Sequence, residues 1–334
     1  MEKITLIHGE GGKQSNNLIK ELFIKHFNNK TLKEMGDAAC LTLSSKKIAF
    51  TTDSYVVNPI FFSGGNIGKL ALCGTINDLA VSGAKPVYIT AGFIIEDGFP
   101  YKDLEEIVSS MGTEAKKAGV QIVAGDTKVV EKGLADGIYI NTSGIGIIED
   151  NININAKNVA TGDVIILSGT LGDHGTAISC ERNNFGIKGD IMSDCAALNS
   201  LVEEMLNVCP KIHMMRDATR GGLAAVLNEI AEMSNAEITI YEKDIPISDG
   251  VKGVCYLLGL DPLYLANEGK LCAILPEEYS EIVLEVMKKN PLGKDAAIIG
   301  NITEGKKGKV YLKTIIGGTR IIDMPSGIQL PRIC

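Results

Sequence analysis

Hydrophobic positions along the chain alternate between helical and strand-like spacing in two successive halves. In the first half the spacing predicts helices over residues 15–27, 65–82 and 101–118, strands over 87–95, 121–124 and 138–148, and a hairpin over 41–44 and 47–52. In the second half it predicts strands over 164–168, 237–240, 271–275, 296–302, 309–312 and 320–322, and helices over 173–182, 194–206, 223–233 and 278–289. This mixture favours an α+β protein with two mixed-sheet domains over a doubly wound fold.

Breaks in the pattern divide the chain into four segments. Residues 1–35 carry a glycine-rich arm, HGEGGK, followed by a helix for which Ser15 is the expected N-cap. Residues 36–150 form an N-terminal domain, and an Asn-rich linker over 151–162 begins a C-terminal domain that ends at residue 324. Residues 325–334, PSGIQLPRIC, contain two prolines without backbone N–H groups, so a mobile tail ending in Cys334 is expected.

Composition excludes several classes of protein. The net charge is −8 and Lys and Arg are scattered, so no nucleic-acid partner is expected. The absence of a signal sequence and of an apolar run long enough for a bilayer predicts a cytoplasmic protein with no membrane contact. Eight cysteines without a C-x-x-C pair, and only four histidines, argue against zinc and disulfides, so most thiols are expected to be core residues.

Isolated aspartates in the first half are the strongest candidates for chemistry: Asp37 in GDAA, Asp53 in TTDS, Asp78 in TINDLA and Asp126 in AGDTK. Taken singly, each is most simply a turn or helix cap. Asp78 differs because it falls within an otherwise apolar helix, where a carboxylate is costly unless it is paired or metal-bound. As a set, four carboxylates around one sheet suit Mg²⁺ with phosphate oxygens.

Other motifs suit an anionic ligand. Lys128 follows Asp126 by two residues, so both would point to the same face of a strand. RDATRGG, residues 216–222, leads into a helix whose N-terminus favours anions, although it is equally a simple glycine turn. Glu268, in ANEGK, is by default a solvated loop carboxylate. The glycine-rich loop of residues 8–13 could cover phosphates or be a flexible terminus, and Glu10 within it would repel phosphate. The standard nucleotide-binding fingerprints are absent from the sequence.

Together these motifs resemble the HypE family of hydrogenase maturation factors. The resemblance rests on HGEGGK, TTDSYVV, GGNIGKLALCGTINDLAVSGAKP, AGDTKVV, INTSGIG, SGTLGDHG, MRDATRGG, ANEGK and the terminal PRIC, and it spans nearly the whole chain. The aspartate motifs are shared with aminoimidazole ribonucleotide synthetase, selenophosphate synthetase and thiamine-monophosphate kinase, whereas the PRIC ending is specific to HypE. The resemblance implies the two-domain fold of aminoimidazole ribonucleotide synthetase and a homodimer that binds ATP and Mg²⁺ between its domains.

The resemblance also implies an activity and roles for particular residues. A carbamoyl group that HypF places on Cys334 would be dehydrated with ATP to a thiocyanate, whose cyanide passes to iron on the HypC–HypD complex for the [NiFe]-hydrogenase. Glu268 would be the base and Lys128 would stabilise charge. The implied magnesium ligands are Asp37, Asp53, Asp78 and Asp126, and the implied ATP-site residues are Gly11, Gly12, Lys13, Asp53, Asp78, Asp126, Thr127, Asn141, Asp217 and Gly221.

Two alternatives stay open. One is a related ATP-dependent enzyme with a small-molecule substrate, although a selenophosphate synthetase would be expected to carry Cys or selenocysteine beside the Gly loop, and residues 8–13 contain none. The other is a non-catalytic carrier that only presents a modified cysteine. Loss of ATP hydrolysis on Asp78→Ala would argue against the carrier.

Overall fold

The computed structural model describes residues 2–9, 13–35, 38–44, 47–183 and 191–325. The helices are α1 (Lys13–Leu18), α2 (Lys25–Phe27), α3 (Lys30–Lys33), α4 (Ile67–Val81), α5 (Tyr101–Ala118), α6 (Asp173–Asn183), α7 (Asn199–Val208), α8 (Gly222–Ser234), α9 (Asp249–Leu258) and α10 (Ser280–Lys289), and a π-helical turn, Ile19–Ile24, joins α1 to α2. The strands are β1 (Ile48–Tyr55), β2 (Phe61–Phe62), β3 (Gly65–Asn66), β4 (Ala84–Glu96), β5 (Gln121–Val130), β6 (Ile138–Ile148), β7 (Val164–Leu167), β8 (Met214–Asp217), β9 (Glu237–Tyr241), β10 (Leu271–Leu275), β11 (Ala297–Thr303), β12 (Lys309–Lys313) and β13 (Thr319–Ile321). Glu10, Gly11, Gly12, Asp37, Cys334 and almost all of the predicted tail lie outside the described residues.

The first sheet has four strands in the order β1-β6-β4-β5, with β4 and β5 parallel and the other pairs antiparallel. Its strands alternate between buried and exposed positions, as expected for a sheet covered on one face only. Helices α4 and α5 cover that face. The other face carries exposed apolar side chains, among them Phe50 and Ile94.

The second sheet has seven strands in the order β13-β12-β9-β11-β7-β10-β8. Every residue of β7 is buried, because Ile165 and Leu167 pack toward α8 while Val164 and Ile166 pack toward α7 and α10. Helices therefore cover both faces of the sheet at β7. The two mixed sheets confirm the predicted α+β class.

Helix α4 is the element that joins the two halves. Apart from Lys69 and Asp78, all its residues are buried, which fits a helix that is apolar on every side. Asn77 reaches the second half, donating Nδ2–H to the carbonyl of Ala196 at 3.0 Å and accepting the N–H of Leu198 at 2.8 Å. Asp78, the next residue, is thereby placed at the junction of the two domains.

Two predicted elements were wrong. Residues 41–44 form no strand, because β1 pairs with the distant strand β6 rather than with the preceding segment. The helix predicted from residue 194 begins only at Asn199. The preceding residues form no helix, and the side chains of Ser193 and Asp194 bind backbone N–H groups of Cys195 and Glu268 instead of capping one.

Other boundaries shifted. The strand predicted over 121–124 continues to Val130, so Asp126, Thr127 and Lys128 lie within a strand rather than at its end. Strand β8 and helix α9 were not predicted. Helix α1 starts at Lys13, so Ser15 lies in its first turn instead of forming the N-cap.

The described cysteines are all free, and five of them are buried: Cys73, Cys195, Cys209, Cys255 and Cys272. This confirms their prediction as core residues. Within the described ranges, no helix combines the length and apolarity that crossing a bilayer requires.

Candidate active site

A cleft with a volume of about 810 Å³ opens between the two sheets. Its walls come from β1, the C-terminal half of α4, the linker, the β8–α8 junction and the ANEGK loop. Four of the predicted site residues line this cleft: Asp53, Asp78, Asp217 and Glu268. They come from both domains, so folding gathers residues that are more than 200 positions apart in the sequence.

Strand β1 and helix α4 place the first two carboxylates. Alternation along β1 turns Thr51, Asp53 and Tyr55 toward α4. The Thr51 hydroxyl donates to Oδ2 of Asp78 at 2.8 Å, and the Tyr55 hydroxyl donates to Oδ2 of Asp53 at 3.3 Å. Both carboxylates are therefore oriented by neighbouring hydroxyl groups.

Gly74 makes room for this arrangement. A Cβ atom at Gly74 would lie 2.1 Å from the Tyr55 hydroxyl oxygen, so any larger residue would displace the tyrosine that orients Asp53. The glycine in CGT of the α4 motif thus has a packing reason within the site.

The carboxyl groups in the cleft disfavour one another's charge. Burial, followed by the nearby Asp217 and Asp53 carboxyls, raises the pKa of Asp78 to about 7. Burial also raises the pKa of Asp217 to about 6, and the Arg216 guanidinium opposes that rise. A cation in the cleft would relieve this excess of negative charge.

Glu268 is the most buried carboxyl of the site, with a relative exposure of 5%. Burial raises its pKa well above the ordinary value, and the Cys195 thiol and the Asp217 carboxyl raise it further. A carboxyl with a raised pKa is a stronger proton acceptor once ionised, which is the property that a general base needs. The default expectation of a solvated loop carboxylate was wrong.

The RDATRGG segment forms a tight junction between β8 and α8. Gly221 and Gly222 adopt φ values of 80° and 61°, and a Cβ atom at Gly222 would lie 2.5 Å from the carbonyl oxygen of Leu263. The close approach therefore requires glycine. Gly221 is the N-cap of α8, so the cap residue itself offers no side-chain hydrogen bond to the first N–H groups of the helix.

A second group of predicted residues lies apart from the cleft. Asp126, Thr127 and Lys128 border a cavity of about 320 Å³ beneath α1, which is lined by Phe23, Phe93 and other apolar side chains. Lys128 Nζ lies 3.7 Å from Oδ2 of Asp126, which confirms that the two share a face. Lys13 is exposed at the start of α1.

Asn141 is placed between these two groups on the open face of the sheet. Its Nδ2 donates to the carbonyl oxygen of Asp53 at 2.8 Å and to the Ser54 hydroxyl at 3.1 Å. Asn141 pairs with Gly92, which in turn pairs with Asp126, so Asn141 and Asp126 lie in one row across the sheet. The side chain of Asp53 points to the opposite, helix-covered face.

Among the described residues, no three His, Cys, Asp or Glu side chains come close enough to hold a metal ion by themselves. Asp53 and Asp78 lie in the cleft and Asp126 lies outside it, while Asp37 is not described. Two carboxylates still fit Mg²⁺ when substrate phosphates complete its coordination.

Comparison with known proteins identifies the family. The AIR synthase related protein family matches residues 35–148 with its N-terminal domain and residues 160–313 with its C-terminal domain. The chain is 48% identical over 332 residues to carbamoyl dehydratase HypE of Bradyrhizobium diazoefficiens, covering 99% of this chain and 96% of the relative. The chain belongs to the HypE family.

Solved structures of the HypE family match the whole fold. A crystal structure of HypE in complex with ATP superposes with a TM-score of 0.95 at 46% identity, covering 99% of each chain. HypE in the crystal structure of a HypE–HypF complex superposes with a TM-score of 0.82 at 49% identity, covering 92% of this chain and 99% of the other.

Sequence reasoning missed several residues that line the cleft in this HypE-family chain. Arg216 and Arg220 bring positive charge to the cleft, and Tyr55 orients Asp53. Arg216 also binds Oε2 of Glu229 at 2.8 Å. Both arginines lie within the RDATRGG motif, so the signal was present but was assigned to its glycines.

Proposed function

We propose that this protein is an ATP-dependent carbamoyl dehydratase whose substrate is a carbamoyl group carried by its own Cys334. The product would be a thiocyanate on the same sulfur, a source of the cyanide ligand of [NiFe]-hydrogenase. Membership of the HypE family supports the reaction type. The observation that carries the proposal is the buried carboxyl of Glu268, with its raised pKa, in the same interdomain cleft as Asp78.

The chemistry requires oxygen activation and the loss of two protons. Transfer of the γ-phosphoryl group of ATP to the carbamoyl oxygen, with loss of one N–H proton, gives an O-phosphorylated intermediate and ADP. Loss of the second N–H proton with departure of phosphate gives the nitrile carbon of the thiocyanate. Glu268 would accept a proton from nitrogen, since its buried carboxylate has a high proton affinity.

The remaining predicted residues are proposed to bind the nucleotide. Asp53 and Asp78 in the cleft, with Asp37 and Asp126, would hold Mg²⁺, which when bound would neutralise charge on the phosphate oxygens. Asp217, Gly221 and Asn141 would line the same ATP site. Gly11, Gly12, Lys13, Thr127 and Lys128 would cover the phosphates, and Lys128 would also stabilise charge on the phosphorylated oxygen.

The proposed homodimer would pair through the open face of the first sheet. The open face of the first sheet carries Asp126, Lys128 and Asn141 together with the exposed apolar side chains Ile48, Phe50 and Ile94. An apolar face of this kind favours association. Pairing of two N-terminal domains through this face would place Asp126 and Lys128 of one copy against the N-terminal domain of the other copy.

Replacing Ile94 with Glu should convert the dimer to a monomer, because a charge would be buried at the centre of the paired faces. Size-exclusion chromatography with light scattering measures the mass. The matched control is Ile316→Glu, which changes an isoleucine that is 95% exposed at the β12–β13 turn and should leave the mass unchanged. A dimeric Ile94→Glu variant would rule out this face as the interface.

HypF and the HypC–HypD complex are the proposed partners. A HypE–HypF complex is known for the family, which supports carbamoyl transfer from HypF. Transfer of cyanide to iron on HypC–HypD would follow dehydration. A cytoplasmic location is proposed with these partners.

Intact mass spectrometry with peptide mapping tests the proposed function. After incubation with HypF, carbamoyl phosphate and ATP, the C-terminal peptide should gain the mass of one carbamoyl group and then lose the mass of one water. Both changes should map to Cys334. ATP turnover with a small acceptor and no change in this peptide would instead support a small-molecule enzyme, and carbamoylation without ATP-dependent water loss would support a carrier.

A further inference from the structure

The loop that carries Glu268 is held through its backbone by a carboxylate outside the cleft. Oδ1 of Asp194 accepts the N–H of Glu268 at 3.0 Å, and Oδ2 accepts the N–H of Gly269 at 3.2 Å. Lys270 Nζ lies 3.3 Å from the same Oδ2. Because the Asp194 side chain is only 3% exposed, these bonds form away from water, where charge-assisted hydrogen bonds are strong.

The carbonyl side of Glu268 is held as well. Its oxygen accepts the N–H of Ala196 at 3.2 Å and Nδ2–H of Asn77 at 3.3 Å. Asn77 also binds Ala196 and Leu198, and it immediately precedes Asp78 on α4. The segment 194–198 therefore ties the backbone of Glu268 to the helix that carries Asp78.

Gly269 permits this contact. A Cβ atom at that position would lie 1.9 Å from the carbonyl oxygen of Asp194, a distance that no larger residue could tolerate. The glycine of ANEGK thus allows this loop to lie close to the segment that contains Asp194, which is far away in the sequence. Its role is explained by Asp194 rather than by a turn.

We propose that Asp194 is a positioning residue that fixes Glu268 relative to Asp78, with Asn77 as the connection to α4. This inference rests on the proposed role of Glu268 as base. Asp194 is not among the described residues that line the cleft, so it would act through Glu268 and not on substrate. It would keep the Glu268 carboxyl in the position that proton transfer from the substrate requires.

The test compares Asp194→Asn with a matched buried carboxylate. Asp163 is also buried and accepts the N–H of Ala160 at 2.8 Å and a bond from His213 at 2.7 Å, but it lies outside the cleft. Single-turnover dehydration of the carbamoylated full-length protein is followed by mass spectrometry at several ATP concentrations. Thermal melting of each variant is recorded alongside.

Asp194→Asn should slow dehydration at least ~10-fold with the KM for ATP nearly unchanged, since a misplacement of about 1 Å can cost ~100-fold in rate. Asp163→Asn should lower the melting temperature but leave the dehydration rate near that of the wild type. Should Asp194→Asn fail to fold, Asn77→Ala should give the same loss of rate with little change in KM.

The positioning role is overturned if Asp194→Asn, or Asn77→Ala if that variant replaces it, dehydrates as fast as Asp163→Asn. It is also overturned if the only change is in the KM for ATP. Glu268→Gln separates this inference from the proposed function. If that variant still dehydrates, the base role of Glu268 and the positioning role of Asp194 both fall while the dehydratase function stands; if it is inactive while Asp194→Asn is normal, only the positioning role falls.

Discussion

Glu268→Gln should abolish dehydration while leaving carbamoylation of Cys334 and ATP binding intact. Glutamine keeps the size of the side chain and accepts hydrogen bonds, but it cannot take a proton from the carbamoyl nitrogen. General bases typically contribute about 10²–10⁴-fold to rate. A loss of at least ~10²-fold in the single-turnover rate is therefore expected, with the carbamoylated protein accumulating in the mass spectrum.

The control for this substitution is Glu237→Gln. Glu237 is a partly buried glutamate that accepts a hydrogen bond from the Thr303 hydroxyl at 2.8 Å and the N–H of Lys306 at 2.7 Å, at the far side of the C-terminal sheet. Loss of the Glu237 carboxylate should change the melting temperature but not the dehydration rate. If Glu268→Gln dehydrates as fast as Glu237→Gln, another group removes the proton.

Asp78→Asn should stabilise the nucleotide-free protein at alkaline pH and at the same time remove most ATP-dependent turnover. The asparagine can still accept the Thr51 hydroxyl hydrogen bond, so the packing of α4 is retained. It can no longer offer a charged ligand to Mg²⁺ and phosphate. A loss of about 10²-fold in turnover is expected, because charge compensation is central to phosphoryl transfer.

The sign of the stability effect follows from the raised pKa. Asp78 has a pKa of about 7 in the folded protein, against its ordinary value of 3.8, because burial and two neighbouring carboxyls disfavour its charge. The folded state thus binds the proton more tightly than the unfolded state. This stabilisation is present below about pH 4 and is lost as the pH rises through about 7. Wild-type melting temperature, measured without nucleotide or divalent cations, should fall over this range.

Melting curves from pH 5 to 8 check this expectation. Asp78→Asn should flatten the decline and melt roughly 5 °C above the wild type at pH 8, on the usual scale of a few degrees per kcal/mol. Asp249→Asn is the control, since the Asp249 side chain is fully exposed and only pairs with Lys252 on the surface. An unchanged pH slope in Asp78→Asn would mean that Asp78 is already ionised in the folded protein.

Much of the fold followed from local patterns. The helical spacing over residues 65–82 and 101–118 predicted α4 and α5 to within two residues, and the apolar character of α4 singled out Asp78. The failures lie where distant contacts override local signals. Residues 41–44 have strand-like composition, but β1 finds its partner in β6, and Asp194 resembles a helix cap while its carboxylate is used by Glu268.

The sequence by itself determined the family, through motifs that keep their residue order over nearly the whole chain. It also named the four acidic residues that line the cleft in the part of the chain that the structure describes. Only the tertiary structure decided that Glu268 is buried, that Asp126 lies apart from Asp53 and Asp78, and that Asp194 and Asn77 hold the Glu268 loop. Periodicity reports the geometry of a few consecutive residues, so it predicts helices and strands. Burial, pKa and backbone support depend on partners such as Asp194 and Glu268, which are 74 residues apart and meet only when the chain folds.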